Sequence, residues 1–453
     1  MYIEQLYTSC LAEAAYYIES EGEATIIDPL REIQTYVDMA HQRGAKIKYV
    51  FETHFHADFV SGHIDLAKKT GATIIYGPKA QPAYDVYTAQ DGEVFTIGKL
   101  TIEVLHTPGH TPESSCFLLK DEEGKNHAVF TGDTLFVGDV GRPDLLDGVM
   151  TKEELAGMMY DSLNNKIKPL SDDVIVYPAH GPGSACGKNI GKETFSTIGN
   201  QKKTNYALQE MTKETFIKKV TDGILPPPKY FFEDARINKE GYSSIDDIIA
   251  RNNQALSEDA FKAEIENGAI ILDTRKPDNF EKGFIPGAIN IGLNGQYAVW
   301  VGSLLNINQP LVLVSEEGME EEAIIRLARV GYENVKGYLA GGISSWNESL
   351  DTVESVSPKQ VKLTNEILDV RKGGEFNNGH IEGAQLVTLS EMPANLEGLD
   401  KDKTYYVHCA GGYRSMIASS LMKRAGFKNP INVYGGFKAM EEAGLPVLLP
   451  TEA

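Results

Sequence analysis

The sequence predicts an α/β protein of three domains, and three patterns lead to that class. A unit of about 95 residues occurs twice in the second half. Within each copy, apolar runs of strand length alternate with stretches of helical spacing, which implies a parallel sheet. Eight of the ten histidines fall within the first 180 residues. The duplication is read from four matches in the same order. They are Ile271-Leu-Asp-Thr-Arg275 with Ile367-Leu-Asp-Val-Arg371, Gly283-Phe-Ile-Pro-Gly-Ala288 with Gly379-His-Ile-Glu-Gly-Ala384, Arg329-Val-Gly-Tyr-Glu-Asn334 with Arg424-Ala-Gly-Phe-Lys-Asn429, and Gly341-Gly342 with Gly435-Gly436. Their offsets stay between 94 and 96 residues. That length suits a small domain rather than a solenoid repeat. Domains over 1–250, 257–351 and 358–453 are expected, with Asp351–Pro358 as the last linker.

In the first domain, strand-like runs end at Thr53, Leu105, Thr131 and Tyr177. Behind each comes a turn with histidine or aspartate: His54-Phe-His56-Ala-Asp58, His106-Thr-Pro-Gly-His110, Gly132-Asp133 and Pro178-Ala-His180. Four such strand ends imply one rim with one site. A divalent metal needs imidazoles or carboxylates converging on a point. Alternation along an extended segment puts His54, His56 and Asp58 on one side, and His110 and Asp133 can complete the cluster. Residues 200–250 contain Pro226-Pro-Pro228 and helical stretches that either complete this domain or cover it.

In the two copies, Ala269–Leu272, Leu311–Val314, Glu366–Leu368 and Tyr405–Val407 read as buried strands. Met319–Val330 and Ser415–Ala425 read as helices stopped by Gly331 and Gly426. Cys409-Ala410-Gly411-Gly412-Tyr413-Arg414-Ser415 follows a strand and opens a helix. A helix N-terminus offers N–H donors and positive potential to a thiolate, and Arg414 adds a fixed charge for an anion. The first copy has Ser315 and Glu320 at the cysteine and arginine positions. A hydroxyl cannot replace a thiolate at neutral pH, so that copy is expected to be inactive.

Composition removes several function classes. The 453 residues carry a net charge of −21, which argues against nucleic acid or an anionic membrane as partner. No run approaches the ~20 apolar residues of a membrane span, and the start lacks the features of a signal peptide. Cys10, Cys116, Cys186 and Cys409 are scattered without a CxxC. They read as free thiols of a reducing cytoplasm, with the first three as small buried hydrophobes.

His54-x-His56-x-Asp58, Thr107-Pro-Gly-His110, Thr131-Gly-Asp133-Thr-Leu-Phe136 and Pro178-Ala-His180-Gly resemble the metallo-β-lactamase superfamily, in its glyoxalase II and persulfide dioxygenase branch. The resemblance covers about residues 1–240 and implies an αββα sandwich with a metal at one edge. Dinuclear hydrolases of the superfamily extend the first motif to HxHxDH. Phe59 stands at that place here, which leaves a second metal one imidazole short. The dioxygenases hold one Fe(II) by two His and an Asp, which fall on His54, His110 and Asp133. That facial triad leaves three positions open. His56, Asp58 and His180 then orient ligands and waters. Arg142, in Gly141-Arg142-Pro-Asp144, matches an arginine that organises the site or supports substrate.

Residues 358–453 resemble rhodaneses through the Cys409 loop, Leu368-Asp-Val-Arg371, Gly379-His-Ile-Glu-Gly-Ala384 and Tyr434-Gly-Gly-Phe437. The six-residue loop suits a sulfur atom, whereas phosphatases of the same fold use one residue more. The resemblance implies sulfane sulfur carried on Cys409. Combined, the two resemblances imply oxidation of a low-molecular-weight thiol persulfide by O2 to sulfite at one Fe(II) per chain, coupled to formation or use of thiosulfate. The setting implied is sulfide detoxification, in a homo-oligomer, dimer or tetramer. The competing expectation is a zinc-dependent glyoxalase II-type thioester hydrolase with a fused sulfurtransferase domain.

Overall fold

A computed structural model describes residues 1–146, 148–363 and 366–449. Asp147, Thr364, Asn365 and 450–453 lie outside the described residues. The chain forms two compact units, Met1–Asp247 with Ala328–Gly331, and Ile248–Leu327 with Tyr332–Ala453. Among the described residues, no helix is long and apolar enough to cross a membrane.

The first unit is a sandwich of two six-stranded sheets. One runs in the order Tyr2–Thr8, Glu13–Ser20, Glu23–Ile27, Lys46–Glu52, Thr73–Tyr76, Tyr87–Thr88. The other runs Ser196–Thr197, Ile175–Pro178, Asn126–Gly132, Ser115–Lys120, Leu100–His106, Val94–Ile97. Strand alternation builds the layers. Tyr16 and Ile18 join Ile27, Phe51, Ile102, Phe117 and Phe130 in the core between the sheets. Ala15 and Tyr17, one residue out of phase, face the other way. There they pack with Tyr36 and Ala40 of the helix Gln34–Arg43 and Leu66 of the helix His63–Thr70. Leu105, Leu118, Val129 and Val176 do the same on the far face of the second sheet. They meet Ala156 and Met159 of the helix Lys152–Ser162 and Phe216 and Val220 of the helix Lys213–Thr221. The layers are therefore α, β, β, α. Residues 200–247 belong to this unit: Lys213–Thr221 closes the outer core. The helix Phe231–Glu240 sends Asn238 Nδ2 to the carbonyls of His56 and Phe59, at 2.8 and 2.7 Å.

The second unit holds both copies of the repeat, apart from Ala328–Gly331 of the first. Each forms a five-stranded, all-parallel sheet with one strand order. The first is Ala255–Leu256, Val335–Leu339, Leu311–Val314, Ile270–Asp273, Ile289–Asn290. The second is Glu354–Val356, Asn429–Val433, Thr404–His408, Glu366–Asp369, Ala384–Leu386. The segment read as a linker supplies the edge strand Glu354–Val356. Three residues are too few to carry a clear period, which is why it reads as a connection. The duplicated motif has a duplicated structure. Arg275 pairs with Asp273 at 2.6 Å and donates to the Gly283 carbonyl at 2.9 Å. Arg371 pairs with Asp369 at 2.6 Å and donates to the Gly379 carbonyl at 2.8 Å. Each clasp ties the end of a central strand to the turn before the next strand.

Candidate metal centre and cysteine loop

The turns behind Lys46–Glu52, Leu100–His106, Asn126–Gly132 and Ile175–Pro178 bring His54, His110, Asp133 and His180 together at one rim. Ligand atoms of His54, His110 and Asp133 lie within 4.8 Å of one another. His110 Nε2 is 3.4 Å and His54 Nε2 4.0 Å from Asp133 Oδ2. All three residues are buried.

Their partners fix which ring nitrogen faces inward. The Arg142 carbonyl, 2.7 Å from His110 Nδ1, can only accept, so Nδ1 carries the proton and Nε2 keeps its lone pair. Thr53 Oγ1 donates to Asp28 Oδ2 at 2.8 Å and therefore accepts from His54 Nδ1 at 2.9 Å. His54 Nε2, His110 Nε2 and both oxygens of Asp133 are buried with no hydrogen-bond partner. Such atoms are costly unless something binds them. Burial, reinforced by the neighbouring His56, His110 and His180, pushes His54 well below the usual imidazole range, which keeps it neutral. Two inward lone pairs and one carboxylate fit a divalent metal with several positions left open.

The remaining predicted residues surround this centre. His180 Nε2 lies 3.3 Å from Asp58 Oδ2 and 3.4 Å from Asp133 Oδ1. Burial pulls its basicity down, but Asp58 and Asp133 outweigh that and raise it. Asp58, His180 and Cys186 form a second group of metal-ligand type, also buried. His56 joins a third group: its Nε2 is 3.1 Å from Asp28 Oδ1 and 3.6 Å from Glu52 Oε2. The Phe59 ring packs 4.4 Å from that of His56 and is fully buried. Arg142 has its guanidinium committed to loop contacts. It forks onto Asp144 at 2.7 and 2.8 Å and donates to the carbonyls of Ala185 and Leu225. Its role in the geometry is to hold the loop whose carbonyl orients His110.

Gly141 is required by close approach. A Cβ there would sit 2.1 Å from the Asp133 carbonyl oxygen and 3.0 Å from His110 Nδ1. Gly141→Ala is expected to cost about 1–3 kcal/mol, seen as a drop of several degrees in the thermal transition of the first unit and as a lower metal content. Unchanged values for both would show that the loop gives way freely.

Asp28, Glu52 and Cys186 were not singled out from the sequence. Asp28 had an available signal, since it too follows a strand-like run, Glu23–Ile27. Cys116 and Cys186 are buried as expected of small hydrophobes, whereas Cys10 is only half-buried, and Cys186 stands beside Asp58 and His180.

At the other centre, Cys409 follows the strand Thr404–His408, and the helix Tyr413–Arg424 opens four residues later. The Gly412 N–H donates to Cys409 Sγ at 3.1 Å, and Ser415 Oγ lies 3.7 Å from the sulfur. Gly412 takes φ +108°, a left-handed conformation that lets the loop curl around the sulfur. Ser415 is buried and donates to Asn432 Oδ1 at 2.7 Å. Ala410 and Gly411 are exposed at the loop's tip. The Tyr413 hydroxyl donates to the carbonyl of Gly292, in the first copy, at 2.7 Å. Arg414 forks onto Glu375 at 2.7 and 2.8 Å. In the first copy, Ser315 follows the strand Leu311–Val314 and accepts from Thr274 Oγ1 at 2.9 Å.

Comparison with known proteins finds two families along the chain. Residues 9–180 match the metallo-beta-lactamase superfamily, and residues 257–349 and 354–443 match the rhodanese-like domain. A probable hydroxyacylglutathione hydrolase of Schizosaccharomyces pombe is 33% identical over 34% of this chain and 57% of its own length. The human mitochondrial persulfide dioxygenase is 29% identical over 46% of this chain and 74% of its own. The chain spans about three fifths of the length of the two fission-yeast hydrolases it matches, 57% and 60%. A crystal structure described as a metallo-beta-lactamase from Staphylococcus aureus subsp. aureus COL is 33% identical. It covers 75% of this chain and 99% of its own, with a TM-score of 0.66.

Proposed function

This chain belongs to the metallo-β-lactamase superfamily, in a form with two rhodanese-like domains behind the metallo-β-lactamase domain, and from that membership we propose that it is a persulfide dioxygenase joined to a sulfurtransferase. The observation that carries this reading is the pairing of the two centres. One is a buried two-histidine, one-carboxylate group with open positions, and the other is a cysteine cradled at a helix N-terminus. The first suits a persulfide and O2; the second suits sulfane sulfur.

The reaction at the first centre is RSSH + O2 + H2O → RSH + HSO3⁻ + H⁺. Iron, when bound by His54, His110 and Asp133, supplies the redox partner that O2 needs. The Arg142 carbonyl and Thr53 hold the two imidazoles in the ligating tautomer. His180 orients Asp133 from the far side, and Arg142 keeps its loop closed. At the second centre, the Cys409 thiolate takes the outer sulfur of another thiol persulfide, releasing the free thiol, and sulfite then attacks the outer sulfur of the resulting Cys409 persulfide. The S–S bond breaks, its electron pair stays on Cys409 Sγ, and thiosulfate leaves. Together the two steps would clear persulfide sulfur without accumulating sulfite, a role in sulfide detoxification.

A second reading has specific support. Hydroxyacylglutathione hydrolases are among the relatives, and Asp58, His180 and Cys186 form a second ligand-type group beside the first. Two zinc ions and thioester hydrolysis would follow. Phe59, in place of the extra imidazole, speaks for the dioxygenase. Oxygen uptake against a panel of thiol persulfides, with metal quantified on the same sample, separates the two. The dioxygenase reading expects one O2 consumed per persulfide oxidised, with that sulfur recovered as sulfite or, after transfer at Cys409, as thiosulfate. Iron-loaded protein that consumes no O2, or two metals per chain with thioesterase turnover, overturns it.

A further inference from the structure

The two copies of the repeat separate what the fold requires from what the chemistry requires. Both keep the Asp–Arg–Gly carbonyl clasp at nearly identical distances. Only the second has the ion pair in which Arg414 Nη1 and Nη2 each meet one oxygen of Glu375. At the matching places the first copy has Glu320 and Asn279, and Asn279 Nδ2 donates to Glu316 at 2.7 Å instead. The repeat therefore folds without the pair, and the pair occurs in the copy that has the cysteine. The Arg414 guanidinium holds the Glu375 carboxyl below its usual range, so both partners are charged at neutral pH. Arg414 is only 17% exposed and Glu375 37%, so their interaction is not that of a freely solvated surface pair.

We propose that Glu375 is a specificity-determining residue of the Cys409 loop: by occupying the fork of Arg414 it favours singly charged sulfur substrates over dianions, thiosulfate as donor and sulfite as acceptor. This rests on the reading of Cys409 as a sulfur carrier. The Gly412 N–H and the helix N-terminus are neutral donors whose combined field suits one negative sulfur. A dianion needs a fixed cation as well. Arg414 is the one cation of the six-residue loop, and its bidentate face is already bound. A dianion must therefore either part the pair or approach a neutralised loop. Glu375 acts on the approach of the anion rather than on the exchange of the S–S bond, so it moves KM and spares kcat.

The test uses the full chain. Glu375→Gln should lower KM for thiosulfate, with cyanide as acceptor, on the order of tenfold, the effect of one unit charge across a few ångströms of partly screened protein. Its kcat should stay within about twofold. Glu375→Asp keeps the charge and should resemble the wild type. Glu375→Asn, the residue the first copy tolerates at this place, serves if the glutamine variant folds poorly. An independent readout is the ratio of Cys409 alkylation rates by iodoacetate, an anion, and iodoacetamide, which is neutral. Removing the carboxylate should raise that ratio by a similar factor. A KM or a ratio that is unchanged or moves the other way in a folded variant overturns the proposal. The alkylation ratio needs no turnover, so it decides the matter even if the chain transfers no sulfur. Thiosulfate:cyanide transfer that survives Cys409→Ser would instead overturn the underlying reading.

Discussion

Asp133→Ala should release the metal and abolish O2-dependent sulfite formation, while thiosulfate:acceptor sulfur transfer continues at the wild-type rate. Asp133 provides the only carboxylate of the three-residue centre and is approached by His54, His110 and His180 together. Residues that merely orient metal ligands cost about 10–100-fold when removed, so loss of this carboxylate should exceed a hundredfold in metal affinity or activity. His54 and His110 would then lose the carboxylate they share, while His180 keeps Asp58 at 3.3 Å. Metal analysis, oxygen uptake and sulfur transfer measured on one preparation check the prediction. Loss of both activities in a folded protein, or oxygen uptake that survives, would contradict a two-centre enzyme.

Cys409→Ser should do the converse. Sulfur transfer should fall by at least about a thousandfold, as expected for removal of a nucleophile, and persulfide oxidation should then stop at sulfite. The substitution is nearly isosteric, and the sulfur's neighbours, the Gly412 N–H and the Ser415 hydroxyl, can bond an oxygen equally well. The fold is therefore expected to persist, which makes the chemistry the only casualty. Sulfite and thiosulfate quantified side by side after exposure to persulfide and O2 give the answer. Thiosulfate formation that continues would mean that another group carries the sulfur.

Much of the architecture is legible in the sequence. The runs ending at Thr53, Leu105, Thr131 and Tyr177 match strands ending at Glu52, His106, Gly132 and Pro178. Buried strands carry uninterrupted apolar runs, and the polar ligand turns behind them mark their ends sharply. Leu311–Val314 was read with its observed bounds for the same reason. The duplication was legible because Asp273, Arg275 and Gly283 and their later counterparts serve a clasp that both copies need.

What stayed hidden is pairing at long range. His56 meets Asp28 and Glu52, and Cys186 meets Asp58 and His180, only once separate turns are folded onto one rim. Glu375 lies 39 residues from Arg414, on a short helix with no pattern of its own. Edge strands of two or three residues, such as Glu354–Val356, are set by their neighbour's hydrogen bonds rather than by side-chain period.

The origin of the ligands in four separate turns also has a consequence for how the domain comes together. His54 follows a strand of one sheet, His110 and Asp133 follow strands of the other, and His180 follows the strand Ile175–Pro178, which pairs in parallel with Asn126–Gly132. Such pairing joins segments far apart in the chain, so the rim is complete only once both sheets are assembled. An ion bound there closes long chain loops at one stroke, and it favours the native state in proportion to its concentration over its dissociation constant. For this domain, metal supply in the cell is thus coupled to how much folded protein accumulates, apart from any effect on turnover.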